Sequence, residues 1–324
     1  MTPLEGIRNK VSSDTRVLYA RGCDWAQPST SSKEVDEAVS TANSADAVIM
    51  VLGLSPELEG EEMEVKVEGF RGGDRLTLDL PQVQEKLLQA IHATGKPVVL
   101  VLLSGSAVAV NWADQHVGAI VAAWYPGEEA GTAIAEVLFG DYNPAGRLPV
   151  TFYESVDQLP PFEDYRMAGR TYRYFQGAPL YPFGHGLSYT TFKYGKLRLK
   201  TSRIKPNEEM QVSVDVTNAG QMAGEEVVQL YLRRLKSSVP VPLRSLQGFR
   251  RIWLAPGETE QVDFTLTPRQ FSIIDSNGKR VVAPGKIRVE VSGKPPGFTG
   301  TADATTTQVV SSQFEVFGAV TPVQ

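Results

Sequence analysis

The stretch Leu54-Ser-Pro-Glu-Leu-Glu-Gly-Glu-Glu-Met-Glu-Val-Lys-Val-Glu-Gly-Phe-Arg-Gly-Gly-Asp-Arg75 gathers the groups best suited to acid–base chemistry. It holds six glutamates, Glu57, Glu59, Glu61, Glu62, Glu64 and Glu68. Crowded carboxyl groups oppose one another's ionisation, and a carboxylic acid kept protonated near neutral pH can serve as a proton donor. A solvated acidic loop and a calcium loop have the same composition, although the Asp/Asn spacing of an EF-hand is missing. Asp74 and Arg75 can close a local ion pair that pins the loop, or present both groups to a polar ligand.

Other segments offer less. Ser104 and Gly105 follow an apolar run without the G-x-S-x-G setting of a serine nucleophile. Glu128 falls at a helix start, where the helix dipole favours an acid. His185, between glycines, reads as a packed histidine. The loops 141–150 and 181–189 are rich in aromatics, Gly and Pro; they read as rigid, and such rings also stack on sugars. A single cysteine, Cys23, excludes an internal disulfide framework and a cysteine zinc site, and three scattered histidines speak against a histidine-built metal centre. We expect no metal.

The elements that must position these residues follow from periodicity. The apolar runs 46–53, 97–103 and 119–125 predict strands buried on both faces. Residues 31–45 carry Val35, Ala38, Val39 and Ala42 at helical spacing. A second helix over 81–94 shows Val83, Leu87, Leu88 and Ile91 on one face, between Pro81 and Gly95. A third, 128–139, stops at Gly140. Apolar strands alternating with helices predict an α/β domain with a mainly parallel sheet, whose ligands bind beyond the carboxyl ends of the strands. The loops after Gly53, Leu103 and Tyr125 are therefore the places to search.

From about Phe192 the helical period disappears. Segments 210–217, 227–232, 261–266 and 286–291 alternate as strands, punctuated by Asn218-Ala-Gly220, Pro256-Gly257 and Pro284-Gly285, which predicts a β-sandwich. Residues 297–309 read as loose and 313–317 as a last edge strand. The charge changes at the same place: residues 1–190 hold 25 acidic and 14 basic groups, net −11, whereas 191–324 hold 12 and 18, net +6. At roughly 150 residues per domain, 324 residues make two domains: we expect 1–190 and 191–318, with a partly loose tail over 297–324. The chain's net charge of −5 excludes a strongly basic nucleic-acid binder. No apolar run approaches the roughly 18 residues of a membrane span, and the N-terminus lacks a signal-peptide core.

Several strings together resemble glycoside hydrolase family 3, in its β-glucosidase and β-xylosidase branch. They are Thr2-Pro-Leu-Glu-Gly6, the Glu-rich loop ending Gly-Gly-Asp-Arg75, Tyr125-Pro-Gly127, Asn143-Pro-Ala-Gly-Arg-Leu-Pro149, Arg170-Thr-Tyr-Arg-Tyr174, Tyr181-Pro-Phe-Gly-His-Gly-Leu-Ser-Tyr189, and Val216-Thr-Asn-Ala-Gly220 followed by Ala223-Gly-Glu-Glu-Val-Val-Gln-Leu-Tyr231. The resemblance implies an α/β sandwich domain with a mainly parallel sheet, followed by an all-β fibronectin type III-like sandwich. It implies a retaining exo-acting β-glycosidase acting on β-linked glucosides or xylosides, including oligosaccharides and aryl glycosides, with no cofactor. In such enzymes a TIM-like barrel supplies an Asp nucleophile and the sandwich domain supplies a Glu acid/base. This chain matches only the later parts, so the barrel is expected from a separate domain or chain. Glu59 ranks first as acid/base, then Glu61, then Glu62, with Asp74 and Arg75 anchoring the loop near the sugar. A chain starting at Met1 just before the sandwich domain suits an accessory or sugar-binding partner of a separate barrel as well as a fragment. The compartment stays open: members of the family are often secreted or periplasmic.

Overall fold

A computed structural model describes residues 1–28, 31–60, 62–299 and 303–323. The chain divides into two compact units, Met1–Asp141 with Phe152–Leu159, and Tyr142–Thr151 with Pro160–Gln324.

The first unit runs α1 (Pro3–Lys10), α2 (Lys33–Asn43), β1 (Val48–Gly53), β2 (Phe70–Arg71), β3 (Asp74–Arg75), α3 (Gln82–His92), β4 (Val98–Leu103), α4 (Asn111–His116), β5 (Ala119–Ala122) and α5 (Ala130–Phe139). Strands β1, β4 and β5 form a parallel sheet in the order β1-β4-β5. The central β4 is the most covered strand, with the successive residues Leu100 and Val101, which face opposite sides, both inaccessible. Flanking β1 leaves Val51 exposed, and β5 carries no buried residue, so the expectation of three doubly buried strands holds for the middle one. Strand β5 also stops at Ala122, short of the expected 125, because Trp124 takes a left-handed backbone with φ 57°. Helix α3 turns Leu87, Leu88 and Ile91 inward as its spacing requires. Helix α1 was not read from periodicity. A capping box starts it, with Thr2 and Glu5 bonded reciprocally and Pro3 in the first turn.

Among the described residues, the second unit is all β apart from the short helical turn Thr171–Tyr174. Its strands are β6 (Phe192–Tyr194), β7 (Arg198–Leu199), β8 (Arg203–Ile204), β9 (Met210–Asn218), β10 (Gly224–Arg234), β11 (Ser245–Leu254), β12 (Thr259–Leu266), β13 (Ile273–Ile274), β14 (Arg280–Val282), β15 (Gly285–Ser292), β16 (Val309–Val316) and β17 (Thr321–Pro322). One sheet has the order β11-β10-β15-β16-β8 and a second the order β12-β9-β6, with β7 also on β9. Their inner faces share one core, including Phe192, Met210, Val214, Leu230, Val289 and Phe314. Strand β9 alternates buried and less buried positions along its whole length, the period-two signature of a strand with one face in the core. Strand β16 is interior, pairing with β15 on one side and β8 on the other; the expected edge position is corrected by that second pairing.

The strings 143–149 and 181–189 brace this unit. Asn143 Oδ1 accepts from Ser188 Oγ at 2.9 Å and the Tyr189 N–H at 2.8 Å, while its Nδ2 donates to the Ala223 carbonyl. Arg147 Nη2 meets Glu226 Oε2 at 2.6 Å, and its Nε donates to the Gly293 carbonyl. Glu226, fully buried, also accepts from the Tyr194 hydroxyl at 2.8 Å and from Thr307 Oγ1 at 2.6 Å. Burial, and next the Glu226 charge, push the Tyr194 phenol well above its usual range, so it stays a donor. A buried charge left without its counter-ion is expensive, so Arg147→Met is expected to destabilise the unit by about 3–5 kcal/mol in urea denaturation. Adding Glu226→Gln should return part of that loss; a double variant no more stable than the single one would refute the ion-pair account.

Candidate active site

The acidic loop leaves β1 at Gly53, whose φ of 140° and close approach to the Leu103 carbonyl leave no room for a Cβ. Gln84 of α3, 2% exposed, secures this point: its amide donates to the Gly53 carbonyl and accepts from the Gly53 N–H, each at 2.7 Å. A turn follows in which the Leu58 and Glu59 N–H groups both donate to the Ser55 carbonyl. Leu58 is buried and anchors that turn. Strands β2 and β3 close the far end as a two-residue hairpin over Gly72 and Gly73, whose φ values of 63° and 87° suit the primed turn such a loop needs. Gly73 also packs against the earlier part of the loop, since a Cβ there would lie 1.5 Å from the Gly60 carbonyl oxygen.

Within this frame Glu59 points inward. Its Oε1 accepts from Ser106 Oγ, its Oε2 accepts from the Tyr125 hydroxyl at 2.9 Å, and Arg75 Nη1 stands 3.7 Å from Oε1. The Glu59 and Arg75 side chains are 13% and 10% exposed. Arg75 Nη1 donates to Ser106 Oγ at 2.9 Å and to the Ala107 carbonyl at 2.7 Å, so Ser106 relays between the guanidinium and the carboxylate. Ser106 lies beyond β4 and Tyr125 beyond β5. The cluster therefore draws on the loops after all three strands of the parallel sheet, at their carboxyl ends, where such sheets bind ligands. Burial, and then the hydrogen bond to Glu59, push the Tyr125 phenol up. Burial presses the Arg75 guanidinium below its ordinary range, against the pull of Glu59 and Asp79.

The other residues singled out from sequence fall elsewhere. Asp74 is exposed and does not pair with Arg75, because neighbours along a strand face opposite sides. Arg75 shares its side with buried Phe70 across the hairpin, whereas Asp74 lies opposite exposed Arg71. Glu62 is exposed with φ 52°. Glu61 lies outside the described residues. Glu57, Glu64 and Glu68 are exposed, so the described glutamates do not converge, and Glu59 is the one drawn into a network. Among the described residues no three His, Cys, Asp or Glu side chains converge as metal ligands. His185 is buried and stacks on Tyr181 at 5.2 Å, a packed histidine within the second unit. Sequence reasoning missed Ser106, Gln84 and the Tyr125 hydroxyl as members of the site. The signal was positional: two of them sit in the loops marked as ligand-facing. Trp124, beside Tyr125, carries a positive φ that is costly for a bulky side chain and is held by an edge-on contact with Phe152.

A parallel α/β sheet with a carboxylate network at its strand ends, joined in sequence to a fibronectin-like sandwich, defines the class, and comparison supplies the family. Residues 1–189 match the glycosyl hydrolase family 3 C-terminal domain, and residues 226–294 match the fibronectin type III-like domain. The chain belongs to glycoside hydrolase family 3. It is 42% identical over 293 residues to a β-xylosidase of Formosa agariphila, covering 89% of this chain and 39% of that protein. It is 36% identical over 319 residues to a periplasmic β-glucosidase of Salmonella typhimurium, covering 89% and 40%. Among solved structures, the β-glucosidase EmGH1 of Erythrobacter marinus superposes with a TM-score of 0.82 at 33% identity, covering 98% of this chain and 43% of that one. The chain thus spans about two fifths of the length of these relatives.

Gly73→Val should unseat the hairpin from Gly60. Limited trypsin digestion at Lys66 and Arg71 is expected to speed up at least several-fold while the circular dichroism of the chain stays unchanged. The Tyr125 phenol is raised above its ordinary value of 10.0. Its bond to Glu59 thus contributes fully below pH 10, and the contribution fades as pH climbs from there towards the raised value, because the unfolded chain ionises first. Tyr125→Phe should lower the melting temperature at pH 8, and the gap to the parent should shrink above pH 10; a gap that does not change with pH would rule this out.

Proposed function

We propose that this chain is the C-terminal portion of a retaining, exo-acting β-glycosidase that releases terminal non-reducing β-D-glycosyl residues. The observation that carries the reading is the Glu59 network, a carboxylate held by Ser106, Tyr125 and Arg75 at the carboxyl ends of the sheet. Retaining hydrolysis needs a second carboxyl group about 5–5.5 Å away to act as nucleophile. In this proposal a TIM-like barrel, as a further domain or a separate chain, provides it as an Asp. That Asp attacks the anomeric carbon while a glutamate of this loop protonates the leaving oxygen. The same glutamate then takes a proton from water as the glycosyl-enzyme is hydrolysed. Glu59 is our first choice for this role, followed by Glu61 and Glu62, and Arg75 holds the loop in place, with Asp74 on the same hairpin. We divide the chain into an α/β sandwich domain, 1–190, and a fibronectin-like sandwich, 191–318; the stretch set apart from the sequence as a tail, 297–324, overlaps the sandwich and holds its interior strand β16.

β-Glucosides are the first substrate class proposed. β-Xylosides are the second, favoured by the similarity to the Formosa protein and by 45% identity over 257 residues to a xylan 1,4-β-xylosidase of Xylanibacter ruminicola, covering 79% of this chain and 29% of that one.

Nitrophenyl β-glucoside and β-xyloside test both parts of the proposal. The chain alone is expected to turn over neither, and adding a family 3 barrel domain should restore hydrolysis. In the reconstituted enzyme, Glu59→Gln should cut kcat by roughly 10²–10⁴-fold, the usual worth of a general acid–base, with azide restoring turnover as a glycosyl azide. Rescue of Glu61→Gln or Glu62→Gln instead would move the role to that residue. Robust turnover by the chain alone would overturn the claim that an essential half is missing.

A further inference from the structure

The second unit holds a cavity of about 250 Å³ that the glycosidase reading does not use. Three arginines line it: Arg173 from the short helical turn Thr171–Tyr174, Arg234 from the end of β10, and Arg280 from β14. No Asp or Glu lines it among the described residues, and none of the three guanidiniums forms an ion pair with a described carboxylate. Elsewhere in this unit arginines do find such partners, as Arg147 does with Glu226, Arg198 with Asp215 and Arg251 with Glu225. Two of the cavity arginines bond to neutral groups instead, and the Arg173 guanidinium lies over the Tyr174 ring, 5.8 Å from its centroid. Arg280 Nη1 donates to Ser272 Oγ at 3.0 Å, and Arg234 donates through its two Nη atoms to the Pro284 and Ala283 carbonyls. The Arg234 Nε is buried without a hydrogen-bond partner. Burial also lowers the affinity of this guanidinium for its proton, as expected of a desolvated cation with no counter-ion.

Three like charges around one small volume repel, and an anion between them converts that repulsion into charge-assisted hydrogen bonds. The rest of the wall narrows the class of anion. Tyr174 and Ile274 supply apolar surface, and Gln247 adds an amide. Ring C–H faces, hydroxyls and a carboxylate on one small molecule would satisfy all three kinds of wall. A space of about 250 Å³ has room for a single sugar ring.

We propose that this cavity binds an acidic monosaccharide unit, a uronate whose carboxylate sits among Arg173, Arg234 and Arg280 while its ring rests against Tyr174. The site is independent of the Glu59 network, and it is tested by binding rather than turnover. Calorimetric titration of the 324-residue chain with D-glucuronate should give a dissociation constant of about 1 mM. Glucose and the methyl ester of glucuronate should bind at least tenfold more weakly, since each lacks the charge. Arg173 is exposed, so Arg173→Gln should leave the fold intact by circular dichroism and weaken glucuronate at least tenfold. Arg280→Gln, which gives up the bond to Ser272, should do the same. Inorganic phosphate is the control for a plain anion site: phosphate binding as tightly as glucuronate would overturn the sugar assignment. Absence of any glucuronate binding at ~50 mM, or equal affinity in both arginine variants and the parent, would overturn the site itself.

Discussion

A carboxylate can tie several loops together only if each brings a donor to a different part of it, and Glu59 meets that condition. Ser106 takes one oxygen, Tyr125 takes the other, and Arg75 stands alongside while also gripping Ser106 and the Ala107 carbonyl. The loops that follow β1, β4 and β5 are thereby joined at one end of the parallel sheet. Buried apolar residues such as Leu54, Leu58 and Val108 anchor these loops, and the polar cluster joins them to one another. Their mutual position depends on a partly buried polar cluster in which every named group has a partner, the arrangement in which such clusters add rigidity rather than cost. Two backbone features serve this cluster. The positive φ at Trp124, a departure of the kind that costs on the order of 1–3 kcal/mol, turns the chain out of β5 just before Tyr125. The paired glycines at 72 and 73 allow the hairpin to fold back onto Gly60.

The second unit solves a similar problem by different means. Its two sheets enclose a core of apolar side chains, and Tyr194 of that core joins a buried polar brace in which Arg147, Glu226, Tyr194 and Thr307 satisfy one another. The strings 143–149 and 181–189, which carry much of the family resemblance, turn out to be this bracing. Asn143 ties Ser188 and Tyr189 to the start of β10, and Leu148 exchanges backbone bonds with Gly184 and His185. Their aromatic and glycine content reflects close packing, as in the tight fit of Gly186 against the Gly146 carbonyl.

Elements with a clean period were legible in the sequence. The alternation of 210–217 became β9, and the apolar spacing of 81–94 became α3, because in both cases one face enters a core and burial dictates residue type. Strand β11 escaped notice because Ser245–Leu254 shows little alternation, with Gly248 near its middle and only Ile252 and Leu254 buried. Helix α1 escaped because eight residues are too few to show a period, although its capping box is written in Thr2 and Glu5. At the site, the choice of loop followed from topology and the glutamate cluster from composition. The partners of Glu59 did not, since Ser106 and Tyr125 lie 47 and 66 positions away and nothing local marks a hydroxyl as a carboxylate's partner. The face of the hairpin decided which of Asp74 and Arg75 turned inward, and that depended on a register fixed by two glycines.

The hairpin also settles how the acidic loop divides its labour. Met63 N–H bonds the Gly72 carbonyl, Leu76 N–H bonds the Gly69 carbonyl, and Gly60 abuts Gly73. The loop is therefore clamped on both sides of residues 64–68, and the exposed side chains there, Glu64, Lys66 and Glu68, hang from a fixed frame. Length and charge can vary in that short arc without shifting Glu59. A loop built this way can present a different electrostatic face to an approaching molecule while the groups behind it keep their places.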